Sequence, residues 1–84
     1  MKIHRIKLNK EFCDAVNNKD KTFEVRRNDR GYQKGDHVRF IPVDNVANRI
    51  YHPVEDKEYE ISYVLNGYGI ENGYVAFSIK EVRL

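Results

Sequence analysis

Cysteine is nearly absent from this chain. The single Cys13 excludes an internal disulfide and a four-cysteine zinc site, and it points to a reducing, cytoplasmic compartment. Apolar runs are short, none approaching the roughly 18 residues that a membrane helix needs. The opening MKIHRIKLNKEF interleaves charges with apolar residues, so no signal-peptide core is expected there. His4, His37 and His52 fall at no spacing that would build a metal site, and no metal or cofactor is expected. Repeats, low-complexity tracts and linkers are missing as well. What is present is a chain of 84 residues, 40% hydrophobic and 33% charged. That profile predicts one globular domain over residues 1–84 with a thin core.

The net charge of +2 is small, but its distribution is uneven. Residues 1–39 carry eleven Lys/Arg against six Asp/Glu, and residues 40–84 carry four against seven. Such asymmetry predicts one basic face, which favours polyanions.

Periodicity predicts a mixed α/β but mostly β domain. IHRIKL alternates, with His4, Ile6 and Leu8 on one face, and reads as a first strand. Asn9 is a candidate N-cap for a short helix whose apolar stripe would be Phe12 and Val16. Asn17 to Asp20 would close that helix, since Asn tolerates the left-handed conformation. A second strand over Lys21–Arg27 puts Phe23 and Val25 on one face and Thr22, Glu24 and Arg26 on the other. After a polar loop, His37–Val43 forms a third strand, and Pro42 makes its end an edge or a departure from the sheet. Asp44–Lys57 reads as a long loop or irregular excursion. Glu58–Leu65 alternates to place Tyr59, Ile61, Tyr63 and Leu65 inward, and Tyr74–Val82 does the same for Val75, Phe77 and Ile79. About five strands and one early helix predict a small barrel or rolled-up sheet, because closure removes exposed edges. The helix, lying between strands 1 and 2, would plug one end.

The densest charge lies in KTFEVRRNDRGYQKGD, Lys21 to Asp36. Glu24 and Arg26, two apart on a strand, project from one face, and Lys21 can lean over that face from the preceding turn. A carboxylate between two cations orients both, presenting Lys21 and Arg26 to a phosphate or carbonyl. An exposed ion pair worth under about 1 kcal/mol would have the same sequence. Arg30, in the turn Asn28-Asp29-Arg30-Gly31, would add a phosphate contact. His4 is a further candidate, although a histidine on an apolar face beside Ile6 and Leu8 is more often a hydrogen-bonded core residue than a ligand or base. Tyr68, between Gly67 and Gly69, is either a stacking surface for bases or a loop anchor.

KTFEVR resembles the GxKxxExR signature of the ASCH domain (activating signal cointegrator homology), a branch of the PUA-like superfamily. His4 with Lys7, the helix with Phe12, RRNDRGY, KGD and GYGIENGYV extend the likeness to a small bacterial and phage family of unknown function within that branch. The resemblance implies a PUA-like β-barrel of about five or six strands with an N-terminal helix. It also implies a cleft lined by Lys21, Glu24 and Arg26, with RNA or a modified nucleotide as partner. Two departures stand out. Lys19 occupies the signature's glycine position, so a non-glycine residue must make the turn. Some ASCH-like enzymes that hydrolyse acylated pyrimidine nucleosides use a lysine, a threonine and a distant glutamate; position 24, their threonine, is Glu here.

Three functions follow as expectations. The first is an RNA- or nucleotide-binding module built on Lys21, Glu24, Arg26, Arg30, Tyr68 and His4. The second is a small hydrolase, a ribonuclease or nucleoside amidohydrolase, with Lys21 and Glu24 as candidate catalytic groups. The third is a protein-interaction module, which exposed apolar residues in Asp44–Lys57 would favour.

Overall fold

The structure, a computed structural model, describes residues 1–83. Along the chain come β1 (Ile3–Asn9), α1 (Lys10–Asn17), β2 (Phe23–Arg27), β3 (His37–Val43), a 3-10 turn (Pro53–Asp56), β4 (Tyr59–Leu65) and β5 (Tyr74–Glu81). The strands make one sheet in the order β1-β3-β4-β5-β2, with β1 parallel to β3 and the other neighbours antiparallel.

The expected five strands and single helix are present, but the sheet is a half-barrel and not a closed barrel. Its two terminal strands, β1 and β2, are not joined by a ladder among the described residues. The sheet is also loose in its middle, where β3 pairs with β4 over only His37↔Glu60 and Val38↔Tyr59. Beyond Val38 the two strands splay, and the far side of β3 is taken by the chain itself: Ile50 N–H donates to the Pro42 carbonyl at 3.1 Å, and Val43 bridges to Arg49. Pro42, lacking an N–H, therefore sits where β4 has already left.

Alternation places the core where the sequence predicts it on β1 and β5: Ile6, Leu8, Val75, Phe77 and Ile79 are buried. A fully buried side chain of this size contributes about 2–3 kcal/mol. Two expectations, the inward Tyr63 and Leu65 and the Phe12 stripe, fail for identifiable reasons, while Asp44–Lys57 is the irregular excursion expected. Tyr59 and Ile61 are buried, but Tyr63 is 62% exposed, because a register shift between Ile61 and Tyr63 sets Ser62 and Tyr63 against the one residue Ser78. The extra residue flips the alternation, so Val64 packs on the core in place of Tyr63 and Leu65. On α1 the buried stripe is Cys13 and Val16, with Phe12 turned out of the core. In Asp44–Lys57 the excursion contains the 3-10 turn, which sinks Val54 completely into the core. No helix among the described residues is long and apolar enough to cross a membrane.

Candidate functional site

The strand that carries KTFEVR is turned with its apolar face outward. Register pairs Glu24 with Phe77 and Arg26 with Val75, both inward positions of β5. Phe23 and Val25 consequently stand 50% and 52% exposed on the convex side, while Glu24 on the concave side is only 3% exposed. Withdrawing a carboxylate from water costs several kcal/mol unless close partners offset it. Here both oxygens are held. Oε1 accepts from Arg26 Nε at 2.9 Å and Nη2 at 2.7 Å, and Oε2 accepts from Lys21 Nζ.

Each cation is fixed in turn. Lys21 Nζ also donates to the Phe23 carbonyl at 2.8 Å and lies 5.1 and 5.0 Å from the ring centroids of Phe12 and Phe23, within cation–π range. Arg26 Nη2 reaches across to the carbonyl of Lys7 at 2.6 Å. That bond joins the free edge of β2 to the free edge of β1 where no ladder does. One Lys21 N–H and Arg26 Nη1 remain unengaged among the described residues, which leaves both cations a donor to offer.

Around this cluster the gap between the edges opens as a cleft of about 630 Å³, walled by Lys7 to Asn9, Phe12, Lys21 and Phe23 to Arg26, with Val43 beside them. A second cavity of about 450 Å³ shares Lys7 and Arg26 and adds Arg5, Arg27 and Arg30 against one carboxylate, Asp29. The basic face anticipated from the uneven charge is thus gathered along the gap. The local chain explains Arg30's place: Asn28 Oδ1 accepts the Tyr32 N–H at 3.1 Å, and the buried Tyr32 ring packs between His4 and Phe77 with centroids 4.8 Å from each. Burial pushes the Tyr32 phenol up, an effect that the positive charges of Arg26 and Arg30 partly oppose.

Residues 3–79 match the family model described as Domain of unknown function (DUF3850). The chain belongs to that family. The DUF3850 match runs from the first residue of β1 into β5, so every residue of the cleft lies inside it. No curated protein matches the chain.

Within this DUF3850 domain the sequence-derived candidates divide into two groups. Lys21, Glu24 and Arg26 come together as one cluster, and Arg30 borders the adjoining cavity. His4 and Tyr68 do not join them. His4 is buried, donating from Nε2 to Asp36 Oδ2 at 2.8 Å, and Tyr68 stands 93% exposed at the tip of the β4–β5 loop, on the wall of neither cavity. Burial alone would raise the Asp36 pKa, but hydrogen bonds from His4 and from the Lys2 and Gln33 N–H groups outweigh it and hold the carboxyl below its usual value. Cys13 donates weakly to the Leu8 and Asn9 carbonyls, and its thiol is pushed up by burial, then by the charges of Asp14 and Glu24, which makes it an inert helix residue.

Two contributors to the cleft escaped the sequence. Phe12, assigned to the core by its i, i+4 spacing with Val16, is a wall of the cleft and one of the rings around Lys21. The Lys7 carbonyl is a main-chain acceptor, and a backbone group carries no sequence signal of its own role.

Proposed function

We propose that this DUF3850 domain is an ASCH-like member of the PUA-like superfamily that binds RNA or a modified nucleotide in the cleft between β1 and β2. The observation that carries the reading is the inversion of β2. An apolar pair, Phe23 and Val25, is left half in water so that Glu24 can be buried between Lys21 and Arg26. Packing Phe23 and Val25 inward would suit stability better, since a buried ion cluster rarely outperforms apolar packing. Holding two cations with donors to spare at the mouth of a basic cleft suits an anionic ligand instead.

The hydrolase reading draws on the same residues but fits less well. A general base needs an oxygen able to take a proton from substrate or water, and both Glu24 oxygens already accept from cations. The interaction-module reading has one observation in its favour, since Val46 and Tyr51 are 75% and 73% exposed in the Asp44–Lys57 excursion.

The test is fluorescence anisotropy of a randomised short RNA across a salt series, followed by a gel of the same RNA. Affinity should fall steeply with salt. Lys21→Ala should weaken binding about tenfold and lower the salt slope by about one, with thermal unfolding still cooperative. Shortened RNA would move the reading to a nuclease, and no binding at low salt would sink the polynucleotide assignment.

A further inference from the structure

Beyond the cleft, the convex face of the sheet is unusual for so small a domain. Three strands, β2, β5 and β4, carry their outward residues in register rows. One row runs Phe23, Ser78, Tyr63; the next runs Val25, Ala76, Leu65; Arg27 pairs with Tyr74 beyond them. Phe23, Val25 and Tyr63 are each at least half exposed. No other segment of the described chain covers them, and a contiguous apolar face of this kind marks an interaction site.

We infer that this face is a stacking platform for the bases of a single-stranded RNA whose phosphates enter the cleft. Charge selects the occupant. Cations flank the apolar rows at both ends: Lys21, with its ammonium 5.0 Å from the Phe23 ring centroid, and Lys80 at one end, Arg27 over the Tyr74 ring at 5.9 Å at the other. Glu60, paired with Lys80, is the one carboxylate in these outward rows. An apolar surface rimmed by positive charge matches a polyanion that also has apolar ring faces, and unstacked nucleobases are that combination. Spacing agrees. Neighbouring strands lie about 4.8 Å apart, so Phe23 and Tyr63, on either side of β5, stand roughly 10 Å apart, within reach of successive nucleotides in an extended strand. A duplex keeps its bases stacked inside and offers such a surface nothing.

The platform is also continuous with the cleft. Phe23 and Val25 project outward, yet they line the cleft's rim, so a strand leaving Lys21 and Arg26 passes directly onto the Phe23 ring. This inference rests on the RNA-binding reading of the cleft and adds to it the strandedness of the ligand and a second contact surface.

Two probes separate the parts: an oligouridylate of about ten nucleotides and an abasic sugar–phosphate chain of the same length. Wild type should prefer the oligouridylate by about tenfold or more, since each stacked base contributes on that order. Tyr63→Ala should lose most of that preference while keeping the wild-type salt slope, and Tyr63→Phe, which retains the ring, should restore it. Lys21→Ala should do the reverse, lowering the slope and keeping the preference. Equal binding of both probes by wild type overturns the platform and leaves the cleft standing. Binding of neither probe overturns both. A wild-type dimer that Tyr63→Ala dissociates, with the probe preference unchanged, assigns the face to a second copy of the chain and likewise overturns the platform. Because Tyr63 is mostly exposed, thermal unfolding of both variants should match wild type.

Discussion

Lys19 has a φ of 71°, in the left-handed region where a Cβ costs about 1 kcal/mol or more. The left-handed residue closes α1: Lys19 N–H bonds to the Val16 carbonyl, and two residues on, Lys21 N–H bonds to that of Ala15, which delivers Lys21 to the cleft. Lys19→Gly should therefore raise stability by about 0.5–1 kcal/mol, read as a higher urea midpoint at unchanged slope. A lower midpoint would mean that the lysine side chain contributes more than the strain removes. The position of the helix end was legible from Asn17-Asn18, but the identity of the left-handed residue was not. Asn18 keeps a φ of −97° because its Oδ1 accepts the Asp20 N–H at 3.1 Å, so the reversal falls on its neighbour. Glu24 gives the same lesson. Alternation shows that it shares a face with Arg26, yet which face turns inward is decided by partners distributed over Lys21, Arg26 and Lys7, and no local pattern encodes that sum.

At the scale of elements, periodicity located all five strands and the helix to within a few residues, because each strand that borders the core alternates. It failed where pairing intervenes. Glu58–Leu65 alternates without a break in sequence, and only the partner strand reveals that Ser62 is an extra residue, its hydroxyl 2.7 Å from that of Ser78. It also could not show what ties elements together. Asp36, just before β3, accepts from the Lys2 N–H and from His4 on β1, and so clamps the start of one strand to the start of its parallel neighbour. Because its pKa is lowered in the fold, the stabilisation it gives is present above the unfolded value of about 3.9 and is lost as pH falls through the lower folded value. Asp36→Asn should be less stable than wild type at neutral pH, and that difference should narrow below about pH 4. Glu58, also lowered, chiefly by its hydrogen bond with His37, should keep part of the acid sensitivity in the variant. Urea midpoints measured across a pH series check this; a difference that stays constant into acid would remove Asp36 from the account.

For the molecule as a whole, the open sheet and the cleft are one feature. If β1 and β2 paired along their length, the barrel would close and the space between Lys7 and Arg26 would vanish into a ladder. Instead a single guanidinium spans the gap, bonding Glu24 on its own strand and the Lys7 carbonyl on the other. Arg26 therefore has two duties, holding the half-barrel's edges at a fixed separation and presenting charge to the cleft. Arg26→Gln should cost about 2–3 kcal/mol, less than the 3–5 typical of a fully buried pair because the arginine is partly solvated. Hydrogen exchange should quicken at the edge amides of β1 and β2 more than at those of β5. Adding Glu24→Gln to Arg26→Gln should recover part of the loss, since the unpaired buried carboxylate is then gone, and the double-mutant cycle should return a coupling of at least about 1 kcal/mol. Additive losses with uniform exchange would mean that the edges are held apart by the packing of β3, α1 and Val54, with Arg26 merely resting across a gap that the fold keeps open without it.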